Sequence, residues 1–128
     1  MAENGLKLVE RAAELALSKK AEGVISLDLR GLSSSCDFFL ICHGLSDVQV
    51  RAIADAIRDG LREDGERVWH IEGYEARQWI LLDFIDVVVH VFEAERRDYY
   101  QLERLWGDAP RHEYVDEDAD DTSAGAAD

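Results

Sequence analysis

Four histidines and two cysteines are the side chains here best suited to hold a metal. A zinc site announces itself by closely spaced Cys or His pairs that converge on one ion. His43, His70, His90 and His112 show no such spacing, among themselves or with Cys36 and Cys42. His90 sits inside a valine run, which reads as a core or half-buried histidine with one hydrogen bond rather than a ligand or general base. Asp83 and Asp86 form a carboxylate pair that could meet a divalent ion, but such chemistry needs a third acid, and none is fixed nearby by the sequence. The stretch "GLSSSCD" (31–37) has serines but lacks the glycine pattern and following lysine of a phosphate-cradling loop. Its serines read as turn formers, with Asp37 opening a strand. We therefore expect no catalytic residue, no metal ligand and no cofactor.

The elements that carry these residues follow from periodicity. Leu6, Val9, Ala13, Ala16 and Leu17 recur at helical spacing, so residues 4–20 form an amphipathic helix that Gly23 stops. Residues 24–29 and 37–43 read as strands, the second apolar enough to be buried on both faces. Ser46-Asp47-Val48-Gln49 matches a capping box, and Val50, Ile53, Ala54, Ile57 and Leu61 make one apolar stripe behind it, ended by Gly65. Residues 67–73, 79–82 and 86–92 are three more strands. A last helix over 95–106 turns Tyr99, Leu102 and Trp106 inward and ends at Gly107 and Pro110. The order α-β-β-α-β-β-β-α predicts one α/β (α+β) domain, a mixed five-stranded sheet flanked by helices.

Charge narrows the partners. The net charge is −14, and residues 113–128 hold 7 of the 28 acids and no base. We read 1–112 as the domain and 113–128 as an acidic disordered tail. The domain itself stays acidic, which argues against direct DNA or other phosphate-backbone binding and favours a basic protein partner. No apolar run reaches membrane-spanning length, and the acid-containing start "MAENGLKLVE" is neither a secretory signal nor a transit peptide. The two cysteines form no C-x-x-C pair and read as buried free thiols. Cytoplasmic location is expected.

One stretch breaks the usual rules. "WILLDFIDVVVHVF" (79–92) joins two strands through Phe84-Ile85, where a short hairpin usually has Asn-Gly or Asp-Gly. An aromatic in a turn, rimmed by Arg77, Asp83 and Asp86, has the makeup of a protein-docking patch.

Taken in order, "GLSSSCDFFLICHGLSDVQVRAIADAI", "IEG", "WILLDFIDVVVHVF" and "YYQLERLWGDAP" resemble the ribosomal silencing factor family, also called Iojap. The resemblance spans about residues 12–110. It includes Ser33-Ser34 before Asp37, Gly44 and Ser46 before the helix, Glu72-Gly73, Trp79, Asp86 with His90, and Leu102-Glu103 with Leu105-Trp106. It implies a nucleotidyltransferase-like topology without the catalytic residues, and a non-enzymatic factor. Such a factor binds the large ribosomal subunit through ribosomal protein L-fourteen, blocks subunit joining and represses translation when nutrients are short. It also implies a homodimer when free. A large-subunit assembly factor and a nucleotidyltransferase-like enzyme are the alternatives. The implied docking residues are Trp79 and Phe84, with Arg77, Asp83, Ile85 and Asp86 around them; the alternative is that Trp79 and Phe84 are simply core. Family members usually have glycine where this chain has Ile85. A β-branched residue is strained at positive φ, so we expect either a different turn or a strand that runs through it.

Overall fold

A computed structural model describes residues 2–96 and 106–116. Helix α1 (Ala2–Ser18) buries Leu8, Val9, Ala12, Ala13 and Ala16, the small residues letting it lie close to its neighbours. It stops before the expected Gly23. Lys20 takes φ 63, its N–H donates to the Leu17 carbonyl, and the Ala21 N–H donates to the Ala16 carbonyl. These two bonds are a Schellman ending with lysine in the left-handed position that glycine usually fills. Gly23, at φ 58, instead lies inside β1 (Glu22–Asp28), where the pairing register shifts.

Helix α2 (Asp47–Glu63) begins as expected. The Ser46 hydroxyl accepts the Gln49 N–H at 3.1 Å. The return bond differs, since the Gln49 side chain accepts the Leu45 N–H rather than that of Ser46. Its amide also donates to the carbonyls of Lys19 and Lys20, so one side chain ties the end of α1 to the start of α2. α2 ends on Gly65 at φ 92, with the Glu66 N–H on the Leu61 carbonyl, the same motif as α1 with the expected residue.

Among the described residues the sheet has six strands, one more than the five expected. β2 (Phe38–Gly44), β3 (His70–Glu72), β4 (Trp79–Asp83), β5 (Val87–Glu93) and β6 (Arg111–Glu113) join β1 in the order β3-β4-β5-β2-β1-β6. Among the described strands, β2 and β5 pair in parallel and the other pairs are antiparallel. β3 is shorter than expected, three residues of the seven read as strand. The added strand is Arg-His-Glu, too short and too polar to show a period, and it runs across the expected boundary at 112/113. Tyr114 continues it, its N–H donating to the Val24 carbonyl and its hydroxyl meeting that of Ser26. Residues 97–105, where the last helix with Tyr99 and Leu102 was expected, lie outside the described residues, as does the tail beyond Asp116. Ala94–Arg96 form one 3-10 turn, and Trp106 stands in a turn against the Phe39 ring.

Both helices cover one face. There Val87, Val89 and Val91 of β5, Ile80 and Leu82 of β4, and Leu40 and Cys42 of β2 pack under α1 and α2. The other face carries Ile25, Leu27, Ile41, Phe92 and Phe39, with Trp106 against them. Among the described residues, no helix is long and apolar enough to cross a membrane.

Candidate interaction surface

The β4–β5 hairpin sets up the surface by alternation. Ile80 and Leu82 point under the helices, so Trp79, Leu81 and Asp83 point to the other face. Trp79 is 48% exposed. Its ring stacks on Phe92, with centroids 5.1 Å apart, and its indole N–H donates to His90 Nδ1 at 3.1 Å. A rigid, half-exposed aromatic with its polar atom already satisfied is well built for apolar contact.

His90 is the histidine with one hydrogen bond that its valine setting predicts. Burial pushes its pKa down to about 4, so the ring is neutral and Nδ1 accepts. The tautomer then places the proton on Nε2, which has no partner among the described residues. The Phe39 ring meets the imidazole edge-on at 4.6 Å.

Gly73 explains the Glu72-Gly73 pair. It takes φ 76, and a Cβ there would stand 2.0 Å from the Trp79 carbonyl oxygen. Only glycine lets the chain pass so close to the start of β4. Arg77 follows at φ 60, its N–H on the Gly73 carbonyl and its guanidinium 3.9 Å from Asp47 at the start of α2. It therefore rims the Trp79 end alone. Asp83 lies at the far end of β4, about 13 Å away at 3.3 Å per residue.

The turn corrects the expectation for Phe84. Phe84 continues the inward row of Ile80 and Leu82, and it is buried at 7% exposure. Its N–H donates to the Val87 carbonyl, so the hairpin stays closed past the end of β4. The residue that faces out is Ile85, at 58%. Ile85 has φ 77, and the Asp86 N–H donates back to the Phe84 carbonyl at 3.0 Å. That is a γ-turn of the rare, strained kind. Neither expected escape is taken. Asp83 steadies the turn by accepting the Ile85 N–H at 2.7 Å. The Asp86 carbonyl accepts the N–H groups of Asp37 and Phe38, pinning the turn to β2.

Asp37 thus meets this turn through its backbone, while its carboxylate lies against Gly5 of α1 and acts on Arg30. With burial as the larger cause, the carboxylates of Asp83, Asp37 and Asp86 raise the Cys36 thiol to about 11. Still, among the described residues no three His, Cys, Asp or Glu side chains are grouped to hold a metal ion. Trp69 also escaped the sequence reading. It is 68% exposed, and its N–H donates to the Asp83 carbonyl just outside β3. A tryptophan beside Glu66 and Arg67, before a three-residue edge strand, is the signal that could have found it.

Fold and surface together define a small α+β protein with a mixed six-stranded sheet, one face under two helices and an aromatic patch with an acidic end at the β3–β4 side. The family model described as "Ribosomal silencing factor during starvation" matches residues 2–128. The ribosomal silencing factor of Bacillus subtilis is 49% identical over 107 residues, 84% of this chain and 91% of that protein. The chloroplastic Iojap protein of Zea mays is 35% identical over 76% of this chain and 42% of its own length. A crystal structure from Bacillus halodurans superposes with a TM-score of 0.72 at 45% identity, covering 88% of this chain and 99% of that one. One from Chromobacterium violaceum gives 0.73 at 36%, covering 84% and 87%. The chain belongs to the ribosomal silencing factor family.

Proposed function

We propose that this protein docks on the large ribosomal subunit through ribosomal protein L-fourteen and blocks subunit joining by occupying the joining face. It acts without turnover, in the cytoplasm, and lowers translation when nutrients are short. The observation that carries the reading is the exposed Trp79, locked by Phe92 and His90 on a rigid strand, in an acidic member of this family. Occlusion needs shape and affinity only, which suits a surface of apolar area with an acidic end. Trp79, Leu81 and Ile85 supply the area. Asp83 and Asp86 face cationic groups and set orientation, while Arg77 closes the other end. Phe84 acts from beneath, by holding the turn. The same apolar area pairs two free copies as a homodimer.

Co-sedimentation with separated large subunits tests the reading. The wild-type chain should pellet with them and reduce joining of small subunits. Trp79→Ala should weaken binding by about 2 kcal/mol or more, roughly thirtyfold, with an unchanged circular dichroism spectrum. A folded Trp79→Ala chain that binds normally overturns the proposal.

A further inference from the structure

The acidic end of the patch contains a cavity of about 370 Å³ lined by Ser35, Trp69, Asp83 and Ile85. Its walls differ in kind. Trp69 is largely exposed, so an indole face is open to a ligand. Ile85 makes an apolar wall held out by its γ-turn. The Asp83 carboxylate is half-buried; Oδ1 takes the Ile85 N–H, and no cation among the described residues pairs with it. Asp86 follows Ile85 in the same γ-turn and is exposed, so a second acid stands beside the cavity.

Those walls select among ligands. An anion is repelled. A purely apolar group would desolvate the carboxylate without replacing its lost hydrogen bonds. A lysine ammonium could pair with Asp83 but is compact and strongly hydrated. A guanidinium is planar, donates through several N–H groups to a carboxylate, and stacks on an indole face. We propose that this cavity seats one arginine side chain of the basic partner, stacked on Trp69 and hydrogen-bonded to Asp83. The proposal rests on the docking reading above and names the group that this end of the surface selects.

The test uses the full chain, labelled with nitrogen-15, and two probes, N-acetyl-arginine amide and N-acetyl-lysine amide. The arginine amide should shift the Trp69 indole and Ile85 amide resonances saturably, and the lysine amide should bind about fivefold more weakly or less. Asp83→Asn keeps an acceptor for the Ile85 N–H while removing the charge, and Trp69→Leu keeps apolar bulk while removing the ring face. Each should abolish the arginine-induced shifts and weaken large-subunit binding by about tenfold. Absence of arginine-dependent shifts, equal response to both amides, or wild-type subunit affinity in both variants overturns the proposal. If Trp79→Ala loses the subunit while Asp83→Asn and Trp69→Leu keep it, the docking reading stands and the arginine seat falls. If arginine binds selectively at Trp69 but the wild-type chain ignores the subunit, the seat stands and the docking reading falls.

Discussion

The two faces of the sheet are cut from the same strands but use different chemistry. Under the helices β5 presents Val87, Val89 and Val91, each fully buried beside Ile80 and Leu82. On the reverse, the alternate positions are Val88, His90 and Phe92, joined by Phe39 and Trp79. Branched aliphatic side chains fill a closed interior at little cost in rotamer freedom. Aromatic rings give stiff area, and the indole N–H of Trp79 lets that ring tolerate a wet boundary. The comparison teaches that the helix-covered face is sealed throughout, whereas the reverse face is a buried cluster of Ile25, Leu27, Ile41 and Phe92 with the half-exposed Trp79 at its margin.

Phe84 and Trp79 are the sharpest way to break that division. Phe84→Ala removes a ring from the helix-covered face and should cost about 3–4 kcal/mol, read as a large fall in melting temperature. Trp79→Ala should cost far less stability, since its ring is half in water. Comparable losses in the two melts would show that the division is wrong.

The next largest effect concerns His90. Its folded pKa of about 4 lies below the ordinary value of 6.5, because burial penalises the charged ring. As pH falls, the unfolded chain takes up this proton first. The associated stability is whole above about pH 6.5 and is lost as pH falls to about 4, on the order of 3 kcal/mol. His90→Asn keeps an acceptor near the Nδ1 position and has nothing to titrate. Urea titrations between pH 7 and 4 should show a shallower pH slope for that variant, and parallel slopes would remove His90 as the cause.

The smallest effect sharpens the outer face. Ile85→Gly should relieve the positive-φ strain and raise stability by about 1 kcal/mol. It should also thin the apolar contact, so a better melt with weaker large-subunit binding is the expected pair. A lower melting temperature would mean that Ile85 is not strained.

Periodicity made α1, α2 and the strands β1, β2, β4 and β5 legible, because each has buried residues to announce, while β3 keeps only three of the seven residues read as strand and buries none of them. The failures have local causes. β6 has no stripe, and its place depends on pairing with β1. The end of α1 was misjudged because Lys20 occupies a position that glycine usually marks. Phe84 was read as a turn residue, although Ile80, Leu82 and Phe84 already keep the two-residue period that turns it inward. At the surface, the type of Trp79 leaves core and contact equally open, and its alternation with the buried Ile80 and Leu82 is what turns it to the outer face. The meeting of Trp69 with Asp83 was not legible, because cross-strand register cannot be read from either residue alone.

The late arrival of β6 also bears on how the chain is made. Ser26 of β1 meets Tyr114, 88 positions later. At a synthesis rate of about 5–20 residues per second, the outer edge of β1 waits roughly 4–18 s for its partner. Through that interval β1 is an open template for another nascent chain. Three polar residues then close the edge, so a chain that lacks residues 111–113 leaves that side of the sheet open to another strand.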